Sequence, residues 1–208
     1  MSTKTLTGWL LVLGPILTFL IIGVLYSALI GDGDAGPDSV EELMKNKQLS
    51  LIVTSLGSVV FVGSFIGMAL LAKSMNSGDK AGSAYATVAG VIFAGITAAG
   101  LIASGMNFAI MSIAETDTGT AAIVDIVADG IFSSIFFYWG IGNILLGTAV
   151  LIQKRLHLVL GWLFVIFGIL PVLITVIDVD ISNNVGFVIW IGISLVSTAA
   201  GVFVLRGK

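Results

Sequence analysis

Six apolar runs, each long enough to cross a bilayer, fill most of this chain, and every second run stops at a basic side chain. They cover 7–30, 49–72, 84–114, 131–152, 158–177 and 186–205. Each meets the ~20 residues that a helix rising ~1.5 Å per residue needs for a hydrocarbon core of ~30 Å. Lys73 follows the second run, Lys154 and Arg155 the fourth, and Arg206 and Lys208 the sixth, while Lys4 precedes the first and Lys80 the third. With an even number of crossings both termini share a side, which then holds seven of the nine Lys and Arg; only Lys45 and Lys47 lie opposite. The positive-inside bias makes the crowded side the cytoplasm. The expectation is an all-α polytopic membrane bundle of six transmembrane helices, built as three helical hairpins. It is a single transmembrane domain over 1–208, with an outer loop at 31–48 and both termini inside a plasma (bacterial or archaeal cytoplasmic) membrane.

Composition agrees. The 208 residues are 57% hydrophobic and 10% charged, against about 25% charged in soluble domains, and the mean hydropathy is +1.13. Six spans leave no room for a separate soluble catalytic domain. In this topology Asp32, Asp34, Asp38, Glu41, Glu42, Glu115, Asp117, Asp178 and Asp180 lie on the outer side and Asp79 inside; an acidic outer rim argues against nucleic acid as a partner. Without Cys there is no disulfide, thiolate nucleophile or cysteine-bound metal. The first run exceeds a signal-peptide core and lacks a clear cleavage site, so it reads as a retained helix.

The outer loop divides at Pro37. Gly31 to Gly36 reads as a turn; Asp38 or Ser39 then caps a helix with Glu41 and Glu42 in its first turn, running through Leu43 and Met44 into the second span. GWLLVLGPIL from Gly8 and GWLFVIFGIL from Gly161 echo one another, and Gly67, Gly147 and Gly201 stand shortly before the basic stops. Spans one and five run in the same direction, so the echo suggests repeated hairpins rather than an inverted repeat. In the third run, small residues recur every fourth position: Ala86, Gly90, Ala94 and Ala98 on one ridge, Gly95, Ala99 and Ala103 on another, leading to Asn107. Such ridges allow close helix approach in lipid, so this helix reads as a central post packed on two sides.

The fourth run carries a polar stripe: at ~100° per residue, Asp125, Asp129, Ser133, Phe136, Gly140, Asn143 and Gly147 share one face. From Ala121 to Gln153 the helix would measure ~50 Å, too long for the core at ordinary tilts. Either it projects outward with the third helix or it breaks at Gly130, and both aspartates should be wet. Asp125, Asp129, Ser133 and Asn143, with Asn107, form the candidate polar site. Asp125 and Asp129, with Asn107 or Glu115, suit a cation site or proton relay; the competing reading is a solvated helix end. Asn143 should make an interhelical hydrogen bond. His157 reads as a headgroup contact, Trp9, Trp162 and Trp190 as an aromatic belt, Trp139 as a packing residue, and Pro15 and Pro171 as kinks that open a crevice. No metalloprotease, nucleophile-elbow, phosphate-loop or dinucleotide motif occurs.

From Tyr138, YWGIGNILLGTAVLIQKRLHLVLGWLFVIFGIL resembles, through Gly140, Gly147, Leu160 and Gly161, a hairpin of a bacterial family of six-helix integral membrane proteins with a domain of unknown function. It departs at Leu156 and His157, where that pattern has a proline. The resemblance implies the fold and no activity. The functional expectation is a non-catalytic membrane protein with no cofactor and no metal. It would be an accessory or assembly subunit, or a binder of lipid or a small apolar ligand, with membrane lipid, a homo-oligomer or a larger membrane complex as partners. The rivals are a small-solute or ion transporter using the fourth helix, and an enzyme with Asp125 and Asp129 as acid and base.

Overall fold

A computed structural model describes residues 1–31, 33–76, 78–177 and 183–207, with side chains of the last stretch from 185. Asp32, Asp178, Asp180 and Lys208 lie outside the described residues. Seven helices and no strand occur among them. α1 runs Thr3–Leu29, α2 Pro37–Lys45, α3 Lys47–Met75, α4 Ser83–Ile113, α5 Thr118–Gln153, α6 Leu158–Ile177 and α7 Asn183–Arg206. All but α2 are long and apolar enough to cross a membrane. Helices consecutive in the chain, α2 apart, pack side by side, and α7 returns to α1, so the six close into a ring. Its outside is apolar: Val59, Val91, Val176 and Leu195 are each more than three-fifths exposed, a surface suited to lipid rather than water.

Glycines set the closest crossings. A Cβ on Gly140 would come within 2.6 Å of the Gly168 carbonyl, and one on Gly147 within 2.6 Å of the Gly161 carbonyl, so α5 and α6 touch backbone to backbone. Gly8 and Gly201 do the same for α1 and α7, with 2.8 Å from a Cβ on Gly201 to the Gly8 carbonyl. Thus the two echoed Gly-Trp segments each seat their glycine against the glycine preceding a basic stop. Inside the ring, Phe65, Phe93, Leu146, Val150 and Phe164 form the core.

The ridges of α4 differ from the expectation. Ala86 and Ala103 are buried, Gly90 faces Ala72, and Ala99 is half-buried, but Ala94, Ala98 and Gly95 stand on the exposed face. The reason is angular: four-residue steps advance 400°, so a ridge drifts ~40° per step and leaves the interface within three. Steps of three and four hold the face, and between Ala86 and Ala103 the buried set is Ala86, Ala89, Phe93, Ile96, Gly100 and Ala103.

The outer segment also differs. α2 ends at Asn46 (φ −144°, ψ 73°), whose side chain accepts from the Leu49 amide at 3.2 Å and starts α3 afresh, so no continuous helix enters the second span. Its N-cap is Gly36, with Pro37 at the first helical position, and Asp38 and Ser39 lie inside the helix. Val40 and Leu43 of α2 pack on Ile110 and Met111 of α4 and Ala121, Ala122 and Ala128 of α5. The Ser50 hydroxyl closes the joint by donating to the Leu43 carbonyl at 2.8 Å. α5 is unbroken through Gly130 over 36 residues, ~54 Å. It packs along α4, and α2 lies against both. Asp117 caps α5, accepting from the Thr120 hydroxyl at 2.6 Å and amide at 3.0 Å; these bonds hold its carboxyl below the ordinary range.

Candidate functional site

The α5 stripe splits into two halves with different surroundings. The half nearer α2 faces the ring interior, where two adjoining cavities meet. The first, of about 270 Å³, is lined by Tyr26 of α1, Thr54 of α3, Ser104 and Asn107 of α4, and Asp125 and Asp129 of α5. Asn107, Asp125 and Asp129 are thus brought together. Glu115 is not among them; its carboxylate is paired with Lys47.

Asp125 departs from expectation. It is buried, and its Oδ2 accepts a hydrogen bond from the Gly36 amide at 2.8 Å, whereas Asp129 is exposed as a solvated carboxylate would be. The cause lies in the loop. Gly36 takes φ +119°, a conformation open to glycine, and Pro37 has no N–H. The amide at the mouth of α2 is therefore Gly36's, and a carboxylate there also faces the positive end of the helix dipole. Asp125 thus caps α2 from across the fold, and the loop closes over the first cavity. Within that wall the Ser104 hydroxyl is spent on the Gly100 carbonyl at 2.7 Å, and the buried Thr54 hydroxyl has no partner.

Asp129 is shared with the second cavity, a crevice of about 780 Å³ bounded by α5, α6 and α7, with Ile22 of α1 and Phe61 of α3. Phe132, Ser133, Phe136 and Trp139 of α5 face Phe187 and Trp190 of α7, with Ile174 and Thr175 of α6 on the third side. Phe187 and Trp190 stack edge to face at 6.3 Å, and Trp190 meets Phe19 at 5.9 Å. Trp190 is a crevice wall rather than part of an exterior belt; Trp9 and Trp162 are the exposed ones. α6 and α7 touch least of any neighbouring pair in the ring. Below the crevice, Phe167 fills that seam: a Cβ on Gly192 would collide with its ring.

α1 contributes a widened turn. Pro15 cannot donate a backbone hydrogen bond, and from Phe19 to Tyr26 the helix is π-helical. Ile22 of this stretch lines both cavities and Tyr26 the first; such stretches recur at functional positions. Pro171 is buried against Gly140 within a continuous α6, so it tightens a crossing instead of opening one.

The half of the stripe farther from α2 is packed. Gly140 and Gly147 receive α6, and between them Asn143 is fully buried with neither amide atom hydrogen-bonded. The expected interhelical bond is not made, and Asn143 lines none of the cavities described here. His157 accepts from the Val159 amide at 3.3 Å through Nδ1 and so serves the start of α6. The aromatic crevice was not foreseen; the available signal was the Phe187 and Trp190 pair at i and i+3, facing Phe132, Phe136 and Trp139 on the α5 stripe.

Chemically, the crevice offers apolar and aromatic walls with a carboxylate and a hydroxyl, Asp129 and Ser133, along one side. That suits an apolar body whose polar or cationic head lies beside them. Among the described residues no three His, Asp or Glu gather as a metal site. No family model, curated protein or solved structure matches the chain.

Proposed function

We propose that this chain is a non-catalytic multi-pass protein of a cell membrane, with both termini cytoplasmic, that binds an apolar or amphipathic molecule in the crevice between α5, α6 and α7. The observation that carries this reading is the aromatic crevice of about 780 Å³ with Asp129 and Ser133 on its wall. Its volume is that of a small-molecule site, and it opens where two neighbouring helices touch least. The orientation follows from the Lys and Arg gathered at the end that carries the termini. Transport along the α5 stripe is less well supported, because its path would have to pass the fully buried Asn143.

Tryptophan quenching tests the site. In a chain carrying Trp9→Phe and Trp162→Phe, emission comes from Trp139 and Trp190, both on the crevice wall. A brominated long-chain amine should quench it saturably, more tightly than the matching brominated fatty acid, and Asp129→Asn should remove that preference. Filling the crevice with Ser133→Phe and Thr175→Phe should abolish saturation. Quenching that rises without saturating, and that the filled variant leaves unchanged, would show partition into the detergent and end the proposal.

A further inference from the structure

At the opposite end of the ring, where the termini lie, a separate pocket of about 650 Å³ opens between α1, α3, α7 and the α5–α6 turn. Lys4, Lys73 and Arg155 line it, over an apolar floor that includes Leu70, Leu71 and Val204. We propose that this pocket binds a phosphate mono- or diester, either the headgroup of an anionic phospholipid or a soluble phosphate compound.

Three observations support it. First, among the described residues none of the three cations has a carboxylate within ion-pair distance, and the two ion pairs found there, Lys45 with Glu41 and Lys47 with Glu115, lie at the α2 end. Three like charges converging on one pocket repel one another, and an anion between them relieves that repulsion. Second, the wall is prepared for an anion. The last carbonyls of α3 would repel one, being the negative end of its dipole. Two of them are covered, Ser74's by the Arg155 guanidinium and Met75's by Gln153 Nε2 at 2.8 Å. The bond to Ser74 also fixes the Arg155 fork, whose other N–H groups are free to take two phosphate oxygens together. Third, apolar residues beneath a basic rim match a lipid, with phosphate at the rim and acyl chain below, and basic pockets between helices at this membrane face suit anionic headgroups.

The experiment measures retained lipid on the purified full chain, equilibrated in nanodiscs of phosphatidylcholine with or without phosphatidylglycerol and extracted gently before mass spectrometry. Phosphatidylglycerol should be retained over phosphatidylcholine, and joint replacement by Lys4→Gln, Lys73→Gln and Arg155→Gln should cut retention by about 100-fold, or roughly fivefold per cation. Arg155→Lys keeps the charge and should recover part of the loss, which separates binding from folding. A control with Lys80→Gln, Lys154→Gln and Arg206→Gln removes three charges at the same end that do not line the pocket, and should change retention less than twofold. Glycerol phosphate and inorganic phosphate, titrated in neutral detergent, distinguish the sources. Competition only by the diacyl lipid assigns the site to a headgroup, and saturable binding of the soluble phosphates that the pocket variant loses assigns it to a soluble compound; either supports the proposal. Equal retention of both lipids together with no saturable phosphate binding would overturn it, as would a control set as damaging as the pocket set.

Discussion

Two glycines ten residues apart on α5 should respond to the same substitution with opposite signs. A Cβ on Gly140 would sit 2.6 Å from the Gly168 carbonyl and 2.9 Å from Val172. The first contact is about 0.8 Å inside the 3.4 Å at which ordinary van der Waals contact begins, and a backbone carbonyl cannot rotate aside. Overpacking of this kind costs roughly 1–3 kcal/mol, against about 1 kcal/mol that alanine gains over glycine inside a helix. The net for Gly140→Ala is a loss of up to about 2 kcal/mol. At Gly130 an added Cβ meets nothing within 4 Å, so only the helix gain remains and Gly130→Ala should stabilise by up to about 1 kcal/mol. Reversible unfolding in mixed micelles, followed by helical circular dichroism, measures both. The helix gain cancels between the two variants, so their difference, about 1–3 kcal/mol, isolates the overpacking at Gly140. If both substitutions stabilise, or both destabilise equally, α5 and α6 do not approach at Gly140 and the wall of the crevice is misplaced.

Other consequences follow from single contacts. Asp125→Ala removes a charge-assisted hydrogen bond worth about 1.5–3 kcal/mol from the Gly36 amide, so amide exchange at Gly36 and along α2 should accelerate at least tenfold while that of α6 is unchanged. The Asp117 carboxyl is held below its ordinary range by Thr120; its support for the start of α5 is complete above the unfolded pKa and is lost as pH falls through the folded one. Thr120 exchange should lose protection only in acid, and Asp117→Asn should remove that dependence. Gly192→Ala forces the Phe167 ring out of the α6–α7 seam and should lower the thermal midpoint, with Phe167→Leu in the same chain restoring it.

What could be read in the sequence followed from regularities that act locally or through lipid. A run of twenty apolar residues has few options, so the six long helices emerged with ends displaced by only a few residues, apart from the fourth, whose helix begins at Thr118. Length alone left two outcomes for α5, projection or a break at Gly130, and the helix is unbroken there. The cap of α2 could not be read, because the group that meets the Gly36 amide is Asp125, 89 residues away. Local rules favoured Asp38 or Ser39, the nearest residues of capping type. The α4 ridges misled because a four-residue spacing looks like a face on paper yet turns steadily around the helix, carrying Ala94 and Ala98 outward. The crevice was hidden for a different reason. Its walls come from five separate spans, and an aromatic residue such as Trp190 reads equally well as a membrane-interface anchor until the ring closes.

The most direct test of the crevice is mass spectrometry of the intact chain released from the membranes in which it was made. Besides any phosphate compound held by Lys4, Lys73 and Arg155, one small apolar or amphipathic adduct per chain should accompany it, vanish in the Ser133→Phe and Thr175→Phe variant, and persist when those three cations are neutralised. A bare chain mass, or an adduct indifferent to filling the crevice, would contradict the account.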